Sequence, residues 1–123
     1  MKTQVCLNAF SRELRLLTPS EYSNVFNRPI RISSEKITVL ITQNNKKHPR
    51  LGLAISKKSV KLAYQRNLIK RVIRDSFRRH QQSLPPIDMV AISKKGTQEL
   101  SSAELHQVMI KLWLKIKKRY NAS

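Results

Sequence analysis

The chain has 123 residues, enough for one domain with a single modest core. Its 25 Lys and Arg against 7 Asp and Glu give a net charge of +18 and a pI near 10.9, while 40% of the residues are apolar. That apolar fraction excludes simple disorder; the charge opposes compaction by self-repulsion and points first to nucleic acid and only second to a membrane surface. Cys6 is the only cysteine, so no intrachain disulfide can form, which fits a reducing compartment. No apolar run approaches the roughly 20 residues of a spanning helix. The N-terminal segment is broken by Ser11, Arg12, Glu13 and Arg15 and lacks the continuous apolar region of a signal peptide. The expected location is the cytoplasm.

Residues 1–17 read as an irregular arm. Thr18 can cap a short helix, with Pro19 in its first turn and Glu21 completing a capping box. Tyr22, Val25 and Phe26 share one face, and Pro29 ends the element. Strands are expected at Pro29–Ser33, at Ile37–Gln43 and, after the polar turn "NNKKHPR", at Leu51–Ser56. A long helix over Leu62–Gln82 is stopped by Pro85 and Pro86. Asp88–Ser93 is a fourth strand. Ser101 then caps a last helix, with Glu104 in the capping-box position and a stripe of Leu105, Val108, Met109, Leu112, Trp113 and Ile116. Trp113 belongs to the core in this reading, and residues 117–123 are either ordered or a disordered tail. The order is α-β-β-β-α-β-α, a small α/β (α+β) sandwich forming one domain over 1–123.

Alternation along the last three strands sorts their residues onto two faces. Ile37, Val39, Ile41, Leu51, Leu53, Ile55, Val90 and Ile92 read as the core face. Thr38, Leu40, Thr42, Gly52, Ala54, Ser56, Met89, Ala91 and Ser93 make the other, which is either an ordinary solvated face or one shaped for a flat or extended ligand.

The long helix is divided lengthwise. On a helical wheel Arg66, Asn67, Lys70, Arg71, Arg74 and Arg78 fall within roughly 140° of arc. Leu68, Ile69, Val72, Ile73 and Phe77 cover the remaining side. Lys57, Lys58 and Lys61 enter just before it. Arg66, Lys70, Arg74 and Arg78 form an i,i+4 ladder of like charges, and each such pair costs a few tenths of a kcal/mol. A solvated face normally mixes signs, so the ladder argues for a polyanion that offsets the repulsion. A membrane-surface helix would need its apolar face free, and here that face is needed to cover the sheet. Cations on phosphates give affinity without sequence reading, Asn67 can reach a base edge or a 2′-hydroxyl, and the strand-rich context favours structured RNA over DNA.

Catalytic machinery is not visible. Glu13, Glu21, Glu35, Asp75, Asp88, Glu99 and Glu104 are scattered, and Glu21 and Glu104 occupy capping positions. Cys6, His48, His80 and His106 have no metal-ligand spacing, and the histidines read as surface or cap residues. Gly52 and Gly96 are the only glycines, so there is no phosphate-cradling loop. The residues describe a binder, with a structural RNA-binding module of ribosomal or chaperone type as one alternative.

The string "RLGLAISKKSVKLAYQRNLIKRVIRDSFR" resembles the signature of the bacterial ribonuclease P protein component, with its R-N-R element opening a basic helix, then "IKR" and "R-x-x-F". "RELRLLTPSEYSNVF" and "DMVAISKKG" are similar to the family's N-terminal segment and last strand, and the likeness covers about residues 7 to 116. One departure stands out. Leu68 occupies the place of the second Arg of R-N-R, on the apolar side of the wheel, where its loss is expected to be absorbed.

The resemblance implies a non-catalytic protein subunit, paired one to one with a large catalytic RNA. Together they would remove the 5′ leader of precursor tRNA, with Mg²⁺ held mainly by the RNA and no metal intrinsic to the protein. It implies that Lys57, Lys58, Lys61, Arg66, Asn67, Lys70, Arg71, Arg74 and Arg78 face the RNA subunit. It also implies that Tyr22 and Phe26, over a floor of Thr38, Leu40, Ala54 and Ser56, hold the leader. Core packing is an equal reading for Tyr22 and for Phe26. A four-stranded sheet with a left-handed β-α-β crossover follows from the resemblance alone, since the general preference is right-handed.

Overall fold

The structure, a computed structural model, describes residues 14–122. Its elements are α1 (Pro19–Phe26), β1 (Ile30–Ser33), β2 (Ile37–Gln43), β3 (Arg50–Ala54), α2 (Ala63–His80), β4 (Ile87–Ser93) and α3 (Ser102–Ala122), in the expected order. Of the expected N-terminal arm, residues 1–13 lie outside the described residues. The four strands form one sheet in the order β1-β2-β4-β3. β2 is antiparallel to both β1 and β4, while β3 and β4 are parallel and joined through α2.

The local signals act as their chemistry requires. Thr18 Oγ1 accepts the Glu21 N–H at 3.2 Å, and the Glu21 carboxylate accepts the Thr18 N–H at 3.0 Å, closing the capping box of α1. Ser101 and Glu104 make the same reciprocal pair at the start of α3. α2 is shorter than its periodicity suggested: a 3-10 turn at Gln81–Ser83 takes over before Pro85 and Pro86. Arg28, just past α1, has a φ of 61° and turns the chain into β1.

α2 and α3 cover one face of the sheet, and α1 covers part of the other. The main core joins Ile37, Val39, Ile41 and Leu51 to Ile69, Ile73 and Phe77 of α2 and to Leu105, Met109, Leu112, Trp113 and Ile116 of α3. Trp113 is buried as expected. Its indole N–H donates to Ser76 Oγ at 2.9 Å, and its ring meets Phe77 edge-on with centroids 6.0 Å apart. The α3 stripe continues past Ile116 to Tyr120, which packs against the core. The helix therefore runs on to Ala122.

A smaller core on the opposite face gathers Leu16, Val25, Leu40 and Val90, with Tyr22, Ala54 and Ile92 packed against it. This corrects the expected facing of β4. Leu40 pairs with Val90 and Thr38 with Ile92, so Val90 and Ile92 lie under α1. Met89 and Ala91, opposite Ile41 and Val39, belong to the main core. A central strand buried on both faces is apolar at nearly every position, so alternation carries no phase, and only pairing with β2 sets it.

One charged network holds α1 to the sheet. Arg50 makes a bidentate pair with Asp88, directly across the β3–β4 ladder, at 2.8 and 2.7 Å. Its remaining nitrogen donates to Glu21 Oε2 at 2.8 Å. Asn44 donates a further bond to Asp88 at 2.8 Å. The Glu21 carboxyl is held down to about 2, first by the backbone N–H groups of Leu17 and Thr18 and then by Arg50. Asp88, foremost, holds the Arg50 guanidinium more firmly charged.

Two outcomes are expected. Ser76→Ala leaves the buried Trp113 N–H without its acceptor and should cost about 1–3 kcal/mol in urea unfolding. Because the folded-state pKa of Glu21 is depressed, its stabilisation is complete above about 4.5 and is lost as pH falls towards about 2. Glu21→Gln should lower the urea midpoint at pH 7 and flatten the decline in stability across that acid window.

Candidate nucleic-acid interface

The cationic face of α2 is built by the apolar face beneath it. Ile69, Val72, Ile73 and Phe77 fix the helix to the core, which turns Asn67, Arg71 and Arg74 outward into solvent and leaves Lys70 half-buried. The i,i+4 ladder is not uniform. Arg66 donates to the carbonyls of Val60 and Lys61 at 3.0 and 2.8 Å. It thereby ties down the segment leading into α2, which has no side-chain N-cap of its own. Arg78, at the other end, donates to Asp75 at 2.6 Å. Asp75 also meets Arg79 at 3.1 Å and lies 3.9 Å from His106 of α3, and its carboxyl is lowered chiefly by Arg78. Among the described residues Lys70, Arg71 and Arg74 form no ion pair, so the middle of the ladder carries the uncompensated charge.

Lys57, Lys58 and Lys61 are exposed on the connection between β3 and α2. That connection is pinned by serines. Ser56 Oγ accepts the Ser59 N–H at 3.2 Å, and the Ser59 and Ser93 hydroxyls meet at 2.5 Å across to the end of β4. Ser56 thus lies beyond β3, in this exposed turn rather than on the sheet.

The opposite face of the sheet is partly closed. Thr38 and Leu40 are buried, and Leu40 packs in one cluster with Val25 and Leu16. Ala54 is half-buried beside them, while Phe26, at the end of α1, is 49% exposed. Tyr22 lies across β3, where its hydroxyl accepts the Leu53 N–H at 3.3 Å. The approach requires Gly52: a Cβ there would stand 2.6 Å from the Tyr22 ring.

Tyr22 and the α2 cations meet around one groove. It runs along the outer edge of β3 and is lined by Arg15, Leu16, Leu17, Tyr22, Leu51, Leu53, Lys70 and Arg74. β3 is an edge strand, and the chain before α1 lies along it: Arg15 bridges Leu51 in parallel, and the Leu16 N–H donates to the Leu51 carbonyl at 3.0 Å. From the sequence, Lys70 and Arg74 fall on one expected surface and Tyr22 on another, while Arg15 falls on neither; its place follows from a pairing between residues far apart in the chain.

Leu68 departs from its expected position. It is 44% exposed, at the margin between α2 and α3, instead of buried with Ile69 and Val72. Glu21, Asp75, Asp88 and Glu104 have structural roles. Glu21 and Asp88 share Arg50, Glu104 caps α3 and Asp75 pairs with arginines. Among the described residues no three His, Cys, Asp or Glu side chains could hold a metal ion. The His80 Nδ1–H donates to the Ser76 carbonyl at 2.8 Å, a helix-end role. No helix of the described residues is long and apolar enough to cross a membrane.

Comparison with known proteins bears on the fold and the family. Residues 10–117 match the family described as Ribonuclease P. The ribonuclease P protein of Thermotoga maritima has a similar structure, with a TM-score of 0.74 and 26% identity over 83% of this chain and 96% of that one. Two Staphylococcus aureus ribonuclease P protein structures are also similar. One has a TM-score of 0.69 and 27% identity, covering 85% of this chain and 89% of that one. The other has a TM-score of 0.77 and 24% identity, covering 85% and 95%, and speaks to the fold alone. The match spans the capped α1, the whole sheet and the basic helix, and the chain belongs to the ribonuclease P protein family, the protein subunit of a tRNA 5′-processing endoribonuclease that associates with ribonuclease P RNA.

Proposed function

We propose that this chain docks on the catalytic RNA through the cations of α2 and its lysine-bearing entry, and receives the 5′ leader of precursor tRNA in the groove beside Tyr22. The observation that carries this reading is the convergence of Arg15, Lys70 and Arg74 with an aromatic ring at one edge of the sheet. Cations track a phosphate backbone, and a ring accepts any base by stacking, so the combination suits a single strand of variable sequence. Phe26, half-exposed at the end of α1, extends the same surface. Arg66 and Arg78 hold the ends of the helix face in place, leaving Lys70, Arg71, Arg74 and Asn67 for RNA. Lys70 and Arg74 serve both surfaces, so leader and catalytic RNA adjoin across α2. Mg²⁺ is assigned to the RNA; among the described residues Glu21, Asp75 and Asp88 are engaged with arginines or backbone N–H groups, and no three His, Cys, Asp or Glu side chains could hold a metal ion. A chain used this way needs no location other than the cytoplasm.

The test is reconstitution with ribonuclease P RNA from the same genome on leader-bearing and leaderless substrates. The protein alone should cleave neither, and with RNA it should favour the leader-bearing substrate at low Mg²⁺. Equal enhancement of both would support a general RNA-binding module instead. Gly52→Ala displaces the Tyr22 ring and should weaken leader-bearing substrate by roughly tenfold, with RNA-subunit affinity unchanged. Lys70→Ala with Arg74→Ala should weaken both and lower the salt slope of RNA-subunit binding by about 2.

A further inference from the structure

The entry to α2 carries a second aromatic surface that the groove beside Tyr22 does not use. Tyr64 is 68% exposed, Leu62 50% and Leu68 44%, the largest group of exposed apolar side chains along the described chain. They are not scattered. Tyr64 and Leu68 line a depression between α2 and the start of α3. Leu62 lines a second depression together with Lys58, Lys61 and Lys95. Gln65 and Gln98 border both, so the two form one continuous surface. Among the described residues these lysines make no ion pair. The acids closest in sequence are committed elsewhere, Glu99 facing Lys36 at 3.7 Å and Asp88 paired with Arg50 at 2.7 Å, and Glu104 caps α3.

An exposed ring with aliphatic neighbours inside a rim of free ammonium groups has two complementary halves: the ring suits a flat π-face and the rim suits phosphate. A wholly apolar partner would leave the lysines unmatched, and a folded duplex would leave the ring unused, since duplex RNA hides its base faces. We infer that Tyr64, with Leu62 and Leu68, stacks an unpaired nucleobase of the RNA subunit, while Lys58, Lys61 and Lys95 hold the phosphates on either side of it. The inference rests on the proposed docking of α2 on RNA and adds a base-stacking point to what is otherwise a backbone contact.

The experiment uses the full chain with ribonuclease P RNA transcribed from the same genome. Tyr64→Ala should weaken RNA binding by about five- to a hundredfold while leaving its salt slope unchanged, since no charge is lost. Tyr64→Phe should bind as the parent protein does. Ultraviolet cross-linking of the assembled complex should join the Tyr64 peptide to a nucleotide that chemical probing shows to be unpaired. The exposure of Tyr64 makes the Tm of both variants a control for folding. Unchanged affinity of Tyr64→Ala, with Lys70→Ala and Arg74→Ala still weakening binding, overturns the stacking point and leaves the docking reading standing. If neither change weakens binding, both fall. A Tyr64-dependent dimer in sedimentation, without loss of RNA affinity in Tyr64→Ala, assigns the surface to a second copy and likewise overturns the inference.

Discussion

Arg50 is the joint on which the candidate site hangs. Its guanidinium has a planar fork that engages Asp88 bidentately across the β3–β4 ladder and still has a nitrogen left for Glu21. A lysine could supply the charge but not the geometry. Glu21 in turn accepts the N–H groups of Leu17 and Thr18, so one carboxylate closes the start of α1 and ties it to the sheet edge. Two carboxylates around one arginine are costly to desolvate, and the residual exposure of Glu21 together with the hydrogen bonds from Asn44 and the backbone makes the arrangement affordable. With α1 fixed at that end, Tyr22 has one place to go, over Gly52.

The same constraint accounts for the division of charge in the molecule. Cations that stabilise the fold have acceptors: Arg50 has carboxylates, Arg66 has the carbonyls of Val60 and Lys61, Lys94 has the Ser34 carbonyl, and Arg78 has Asp75. With Glu21, Asp75 and Asp88 so occupied, the middle of α2 and the lysines at its entry make no ion pair among the described residues. Repulsion among them is tolerated because the apolar face of α2 is anchored by Phe77, Ile73 and the Ser76–Trp113 pair. A polyanion therefore meets a helix whose backbone is already fixed, while the side chains of Lys70, Arg71 and Arg74 are still to be ordered on binding.

Much of this was legible in the sequence. The capping boxes at Thr18 and Ser101, the prolines after α2 and the stripe of α3 each act within a few residues, and their elements stand where local chemistry put them. The lengthwise division of α2 into apolar and cationic faces is equally local. Three features were not legible. The facing of β4 was ambiguous because "MVAI" is apolar on both sides. Leu68 fell on the apolar side of an ideal wheel, yet its exposure depends on how closely α3 approaches α2 at that level. The end of α3 was open because the apolar stripe reads only as far as Ile116, whereas Tyr120 packs against the core and extends it.

The sequence by itself determined the order of the elements and the sign of the partner's charge, because these follow from composition and from spacings within a single turn or strand. Tertiary structure alone decided which residues share a surface. Arg15, Tyr22, Leu53 and Lys70 are far apart in the chain and become neighbours only because β3 is an edge strand, open on one side to the segment before α1 and flanked by α2. Spacing along a chain cannot encode that proximity, since it arises from strand order, and strand order is settled by long-range pairing between β2, β4 and β3.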